Sequence, residues 1–380
     1  LTTLSRIILE ADELLSRLQQ LLQGVPDDKG LRALVWKILL LYLPPQKNLW
    51  RATLHEKRQH YKNYIGITSI LYTLESKKLF LFRQHTSNLS VSWQIIIIVS
   101  PGGPSDHPLN ISPDSSWSTY FKDNEVLLQI DKDVRRLCPD ISFFQTATEY
   151  PCLEVSILHR RGNTFRFVLQ RVSLNENRRS DMHNGDYAPL TEGREAHWEV
   201  VERMLFLYAK LNPGQGYVQG MNEIIGPIYH TFAIDPDKEF RKHAEADCFF
   251  CFTNLMAEIR DFYIRTLDES TSGINYVMCK LSDCLKKNDP MVWNMLEMQE
   301  LRPQYYSFRW LTLLLSQEFS LPDLERIWDT LFADAERFDF LIYICCAMIL
   351  VRHEILRGDF ASNVKLLQNF PPMDVTATIS

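Results

Sequence analysis

The sequence predicts an all-α protein. Three observations carry that prediction. Apolar residues recur every three or four positions over most of the chain, and Gly, Pro and Asn stand between those runs. Glycine makes up only 14 of the 380 residues, about half the share usual in globular proteins, which disfavours turn-dense β folds.

The elements follow in order. Leu4, Ile7, Ile8, Ala11, Leu14, Leu15, Leu18, Leu21 and Leu22 form one helical stripe that Gly24 and Pro26 stop. A second helix is expected over 31–43, with Leu34, Val35, Ile38, Leu39 and Tyr42 on one face and Pro44-Pro45 as terminator. From 64 to 104 no helical period is evident; Ser100-Pro-Gly-Gly-Pro104 reads as loop, and 106–118 as a connector anchored by Trp117. Asp123 is placed to cap a helix running to about Cys138, whose stripe is Val126, Ile130, Val134 and Leu137. The charged stretch 152–193 reads as an insertion or loop. Helices are then expected over 196–211, 221–232, 244–266, 276–285, 292–301, 307–318, 321–332 and 338–358. One large multi-helix domain results, over 27–345. An N-terminal helix (1–26) precedes it, a helical extension (346–380) follows, and 65–104 and 152–194 stand out within it.

Composition removes several function classes. Forty-one Lys and Arg against 47 Asp and Glu give a net charge of −6, so nucleic acid is not the expected partner. The longest apolar run, 340–351, is shorter than the roughly 20 residues a spanning helix needs, so no transmembrane segment is expected. The eight Cys show no framework spacing and fit reduced thiols in the cytosol. Cys248-Phe-Phe-Cys251 has no second pair at zinc-finger spacing and reads as helix core, so no metal is expected. GxxxxGK[ST], GxSxG and HExxH are absent.

Two constellations remain. In Ile130-Asp-Lys-Asp133-Val-Arg-Arg136, a rotation of about 100° per residue puts Asp133 and Arg136 on one side of the Ile130-centred stripe, as i,i+3 neighbours. An acid beside an arginine can fix the guanidinium fork and leave its other donors aimed outward. Taken alone, the spacing reads equally as a surface ion pair. In Tyr217-Val-Gln219-Gly220-Met-Asn222-Glu223, glycine beside Gln219 leaves room for another molecule's backbone; alone, this is also a helix-start loop whose glutamine faces water.

Together these residues resemble a known family. IxxDxxR ending at Arg136, followed some eighty residues later by YxQ ending at Gln219, is similar to the signature pair of the TBC-domain Rab GTPase-activating proteins. Further landmarks stand in the same order: Gly30-Leu-Arg32-Ala-Leu-Val-Trp36-Lys, Glu245-Ala-Asp247-Cys-Phe249, Phe308-Arg309-Trp310, Gln317-Glu318-Phe319 and Ile327-Trp328-Asp329. The resemblance implies a GTPase-activating protein that acts on a Rab-family GTPase in its GTP form and regulates vesicle trafficking. It would supply residues in trans and not itself hydrolyse nucleotide. Arg136 would be an arginine finger and Gln219 would orient the attacking water. Asp133 would brace Arg136, and Tyr217 and Asn222 would shape the loop and touch the partner's backbone. Arg32, Trp36, Ile130, Trp310 and Trp328 would be structural. No cofactor is implied beyond the GTP and Mg²⁺ that the partner GTPase holds. The expected place is the cytoplasm, with indirect, peripheral recruitment to endomembranes. A catalytically silent scaffold that binds a GTPase or adaptor, and a helical adaptor of unrelated function, stay open as alternatives.

Overall fold

A computed structural model describes residues 24–26, 30–66, 116–152, 190, 194–268, 270–352, 355, 357–373 and 375. The stripe expected over 4–22, most of 65–104 and most of 152–194 lie outside these residues. The described chain is helical, and its only β-like pairing is an isolated bridge between Ala147 and Ala196.

In chain order the main helices are α1 (Leu31–Leu39), α2 (50–66), α3 (Ser116–Val134), α4 (His197–Leu211), α5 (Met221–Ala233) and α6 (Ala244–Ile259). They continue as α7 (Ile274–Asn288), α8 (Pro290–Met298), α9 (Ser307–Thr312), α10 (Leu321–Ala333), α11 (Arg337–Leu350) and α12 (Phe360–Gln368). The chain divides into two compact units, one formed by Leu1–Arg58 with Pro213–Ser380 and the other by Gln59–Asn212.

In the 59–212 unit, α3 packs on α4. Leu127, Ile130 and Val134 of the first, with Leu137 just beyond it, are buried, as are Trp198, Val201, Met204, Leu205 and Phe206 of the second. Val126, expected in this stripe, is only half-buried, and Leu127 takes its place. Burying such side chains is worth about 1.5–3 kcal/mol each, the main reason two amphipathic helices close on one another. Two hydrogen bonds around the Ala147–Ala196 bridge, Thr148 N–H to Glu195 O and His197 N–H to Thr146 O, fasten the start of α4 to the chain after α3. Asp123 is not a cap: α3 begins seven residues earlier, and the Asp123 carboxylate instead pairs with Lys210 of α4 at 2.7 Å.

In the other unit, α5 packs on α6, α1 lies against α5, α6 and α10, and α7 meets α8 and α11. Several helices end short of the expected bounds. The first stops at Leu39, because Leu41 turns to φ 57 before the prolines are reached. α9 stops at Thr312, where a turn with Leu314 and Leu315 at φ 49 and 66 replaces the expected run to 318. α11 ends at Leu350, short of the expected 358, and α12 falls within the helical extension expected over 346–380. α2, unanticipated from the sequence, carries Trp50 as its buried side chain in this unit.

Two buried carboxylates pin this unit. Asp329 accepts from Trp36 Nε1 at 2.8 Å, Arg32 Nε at 3.1 Å and the Val25 amide at 2.9 Å, while Arg32 Nη1 reaches Glu325 at 3.3 Å. Trp36 packs its ring on Trp328 and Phe332. Asp247 accepts from Tyr42 Oη at 2.7 Å and from Arg58 Nε and Nη2 at 2.8 and 2.7 Å, and pairs with Lys37 Nζ at 3.0 Å. Lys37 in turn lies over the rings of Phe232 and Phe240, a cation–π contact on each. Neither Asp247 nor its partners Tyr42 and Arg58 was singled out as a hub from sequence. An acid in the first turn of an apolar helix, opposite a lysine inside another, was the available signal.

Candidate functional site

Arg136 sits just past α3, not in its last turn. The helix closes at Val134, and the Arg136 amide donates to Asp133 O at 3.2 Å, a tighter turn than α. Its neighbours are fixed. Arg135 is buried, pairs with Asp131 at 2.9 Å and lies 4.6 Å over the Trp198 ring. Leu137 is fully buried, and Cys138 at φ 43 turns the chain away. Between these anchors the Arg136 side chain is 57% exposed. Its Nη2 donates to Asp133 Oδ1 at 3.0 Å and its Nε to Lys132 O at 3.0 Å. A guanidinium has five N–H donors, so three of the five are left for another molecule. Asp133 itself is almost fully buried, so the brace is held more firmly than the group it braces.

Gln219 belongs to the other unit, on the loop before α5. It is exposed, and among the described residues its side chain makes no hydrogen bond or ion pair. The loop under it is ordered from inside. Tyr217 and Asn222 are buried, with Tyr217 Oη 3.5 Å from Asn222 Oδ1, and Asn222 Nδ2 donates to Glu223 Oε1 at 2.8 Å. The Val218 amide points at Met221 Sδ at 3.4 Å. The glycine beside Gln219 has an internal use. Gly220 has φ 101, which side chains rarely adopt, and a Cβ there would come within 2.6 Å of Leu313 Cδ2. Its missing side chain makes room for Leu313, not for a visitor, which corrects the sequence reading of that residue. Met221 through Ala233 then run as an apolar helix whose N-terminal Glu223 suits the positive end of the dipole.

The other predicted site residues lie in the framework. Ile130, Trp36, Trp310 and Trp328 are fully buried, and Trp328 Nε1 donates to Leu314 O at 2.9 Å. Cys248 and Cys251 are buried in α6, and burial pushes both thiols well above the ordinary cysteine value, as expected of core residues. All eight thiols are free. Among the described residues no group of three or more His, Cys, Asp and Glu is placed to hold a metal, and no helix is long and apolar enough to cross a membrane.

What these features define is a protein, helical over its described residues, that offers single exposed polar side chains from buried supports. A sequence model of the Rab-GTPase-TBC domain matches residues 179–356, a span that takes in Gln219 and begins after Arg136. TBC1 domain family member 13 of Mus musculus is 50% identical over 388 aligned positions, covering 97% of this chain and 93% of the mouse protein. The Homo sapiens protein of the same name matches to the same extent. The crystal structure of the Ypt/Rab-GAP domain of Gyp1p superposes with a TM-score of 0.63 over 96% of this chain and 90% of that one; at 21% identity the likeness is one of fold. This chain belongs to the Rab-GTPase-TBC domain family.

Proposed function

We propose that this protein is a GTPase-activating protein for a Rab-family GTPase and acts by inserting Arg136 and Gln219 into the partner's nucleotide site. One observation carries the reading. In a chain of this family, both motif residues are present and exposed, Arg136 with three uncommitted N–H donors and Gln219 with its amide unbonded among the described residues.

The chemistry is electrostatic. A GTPase holding GTP and Mg²⁺ hydrolyses slowly because charge growing on the transferring phosphoryl group is poorly compensated and the attacking water is loosely held. Arg136 would place its free donors against those oxygens, with Asp133 and the Lys132 carbonyl fixing the direction of the fork. Gln219 would accept from and donate to the water, which an amide does with one group of each kind. A finger arginine is typically worth about 10³–10⁵ in rate, roughly 4–7 kcal/mol. An exposed ion pair is worth about 0.2–1 kcal/mol. The Asp133 brace therefore cannot be an end in itself energetically; its use lies in aim. Tyr217 and Asn222, being buried, would act by shaping the loop. Nucleotide and Mg²⁺ would belong to the partner, and this chain would need no cofactor of its own. We place the activity over 27–345, with 346–380 as an extension, in the cytoplasm with indirect recruitment to endomembranes in vesicle trafficking.

The test is single-turnover GTP hydrolysis across a panel of purified GTP-loaded Rabs. Arg136→Ala and Gln219→Ala are each expected to lower the stimulated rate by orders of magnitude with helicity and melting unchanged. Stimulation by Arg136→Ala equal to wild type removes the finger assignment. No stimulation of any Rab by the wild type favours the silent scaffold.

A further inference from the structure

The turn after α9 is the least comfortable backbone in the described chain. Leu314 and Leu315 are successive bulky residues at φ 49 and 66, both fully buried. Leucine avoids this left-handed region because its Cβ meets the following carbonyl, so the conformation persists only where surroundings impose it. Four side chains do so here. Trp328 Nε1 of α10 donates to Leu314 O at 2.9 Å, and Tyr263 Oη to Thr312 O at 2.5 Å. Arg309 and Glu318, on either side of the turn, form a two-pronged pair at 2.6 and 3.0 Å.

What the turn presents is Leu313. Its Cδ2 occupies the place where a side chain on Gly220 would start, so a leucine methyl packs directly on the backbone of the residue that follows Gln219. Gly220 is itself buried and left-handed, a conformation glycine adopts without strain, so the clamped turn meets bare glycine backbone at one contact beside the exposed Gln219.

We propose that Leu313 is a positioning residue for Gln219: a methyl shelf, set by the clamped Leu314–Leu315 turn, that fixes the backbone from which the glutamine reaches the attacking water. This rests on Gln219 acting as proposed above. A loose shelf would leave Gln219 able to visit the right place but not to stay there, which lowers the chemical step without weakening partner docking.

The experiment compares Leu313→Ala, Leu313→Met, Gln219→Ala and the Leu313→Ala/Gln219→Ala double variant of the full chain. Read-outs are stimulated GTP hydrolysis by a responsive Rab and amide hydrogen exchange at Val218 and Gln219. Leu313→Ala is expected to lower kcat about 10–100-fold with KM changed less than about twofold, and to speed exchange at the two amides. Leu313→Met, which refills the space, should recover most of both. In the Gln219→Ala background, Leu313→Ala should cost nothing further, because the group it positions is gone. Unchanged kcat and exchange, a rise in KM alone, or a fully additive loss in the double variant overturns the shelf. Intact hydrolysis by Gln219→Ala overturns the function assigned to Gln219 instead, and the exchange rates still decide whether Leu313 holds the loop. Should Leu313→Ala not fold, Leu313→Val carries the same comparison.

Discussion

Two regions of this protein use acid–base pairs in opposite ways. Beyond α3, the guanidinium of Arg136 rests on one carboxylate oxygen and one carbonyl and is more than half exposed. In the unit that contains α1, Asp247 and Asp329 are wholly buried and each is closed by at least three donors. The exposed Arg136 guanidinium loses little if this pair opens, since water takes over its bonds. The buried ones would leave a bare charge in a low-dielectric interior. The difference separates two jobs: framework stability resides in buried carboxylates and their donors, and the exposed cation contributes little to folding. Substitution can therefore attack either job alone.

The largest effect should come from the smallest change in charge. Arg136→Lys keeps the cation yet is expected to lose most of the finger's roughly 10³–10⁵ in rate, because an ammonium cannot copy the planar, multi-donor fork. Its melting temperature should match wild type. Single-turnover hydrolysis beside a thermal melt checks both halves. A lysine variant as fast as wild type would reduce Arg136 to a point charge and blur the contrast.

Next comes the framework. Asp247→Ala strands Lys37 and Arg58 in the core and should cost about 3–5 kcal/mol, read from the urea midpoint. The two hubs should also respond to acid with opposite signs. Burial alone would raise the Asp247 carboxyl, but Lys37, Arg58 and the Tyr42 hydroxyl outweigh it and hold its pKa below the ordinary value. Its contribution is then complete above the unfolded pKa of about 4 and lost as pH falls through the lower folded value. At Asp329 burial wins over Arg32, the Val25 amide and Trp36, and the pKa is raised. The proton is held more tightly in the native state, so its contribution grows as pH falls through that raised value and is lost again on the way up. Comparing wild type with Asp247→Asn, the stability gap should shrink below about pH 4. Against Asp329→Asn it should widen as the solution is acidified from neutrality.

How far the sequence foretold this depends on distance along the chain. The Ile130, Val134 and Leu137 stripe and the exposed arginine beside it follow from a local period, as do α4 and α5, whose bounds fall within a residue of expectation. The Asp133–Arg136 pair is three residues apart and was equally legible. What failed was decided by distant partners. Asp123 looks like a cap until Lys210 claims it. Gly220 looks like clearance for a visitor until Leu313 fills the space. The run after Thr312 has helical period, but Trp328 and Tyr263 hold its carbonyls in another geometry. Periodicity reports the face a residue turns inward, not which residue will meet it there.

The smallest expected effect tests the brace itself. Asp133→Asn retains an oxygen that can accept from Arg136 Nη2 but removes the charge. An exposed partner limits what that charge is worth to at most about 1 kcal/mol, or about fivefold in the stimulated rate. Most of the remaining aim comes from the Lys132 carbonyl, which the substitution leaves in place. Because Arg136 reaches into solvent, salt should erode the difference: the wild-type advantage should be larger at 0.05 M than at roughly 0.5 M added salt, where screening acts over only a few ångströms. Rates at the two salt concentrations, with both proteins folded to the same melting point, decide the matter. A loss approaching that of Arg136→Ala, indifferent to salt, would mean that the buried carboxylate does more than steer its neighbour, and that the exposed pair behaves like the buried hubs after all.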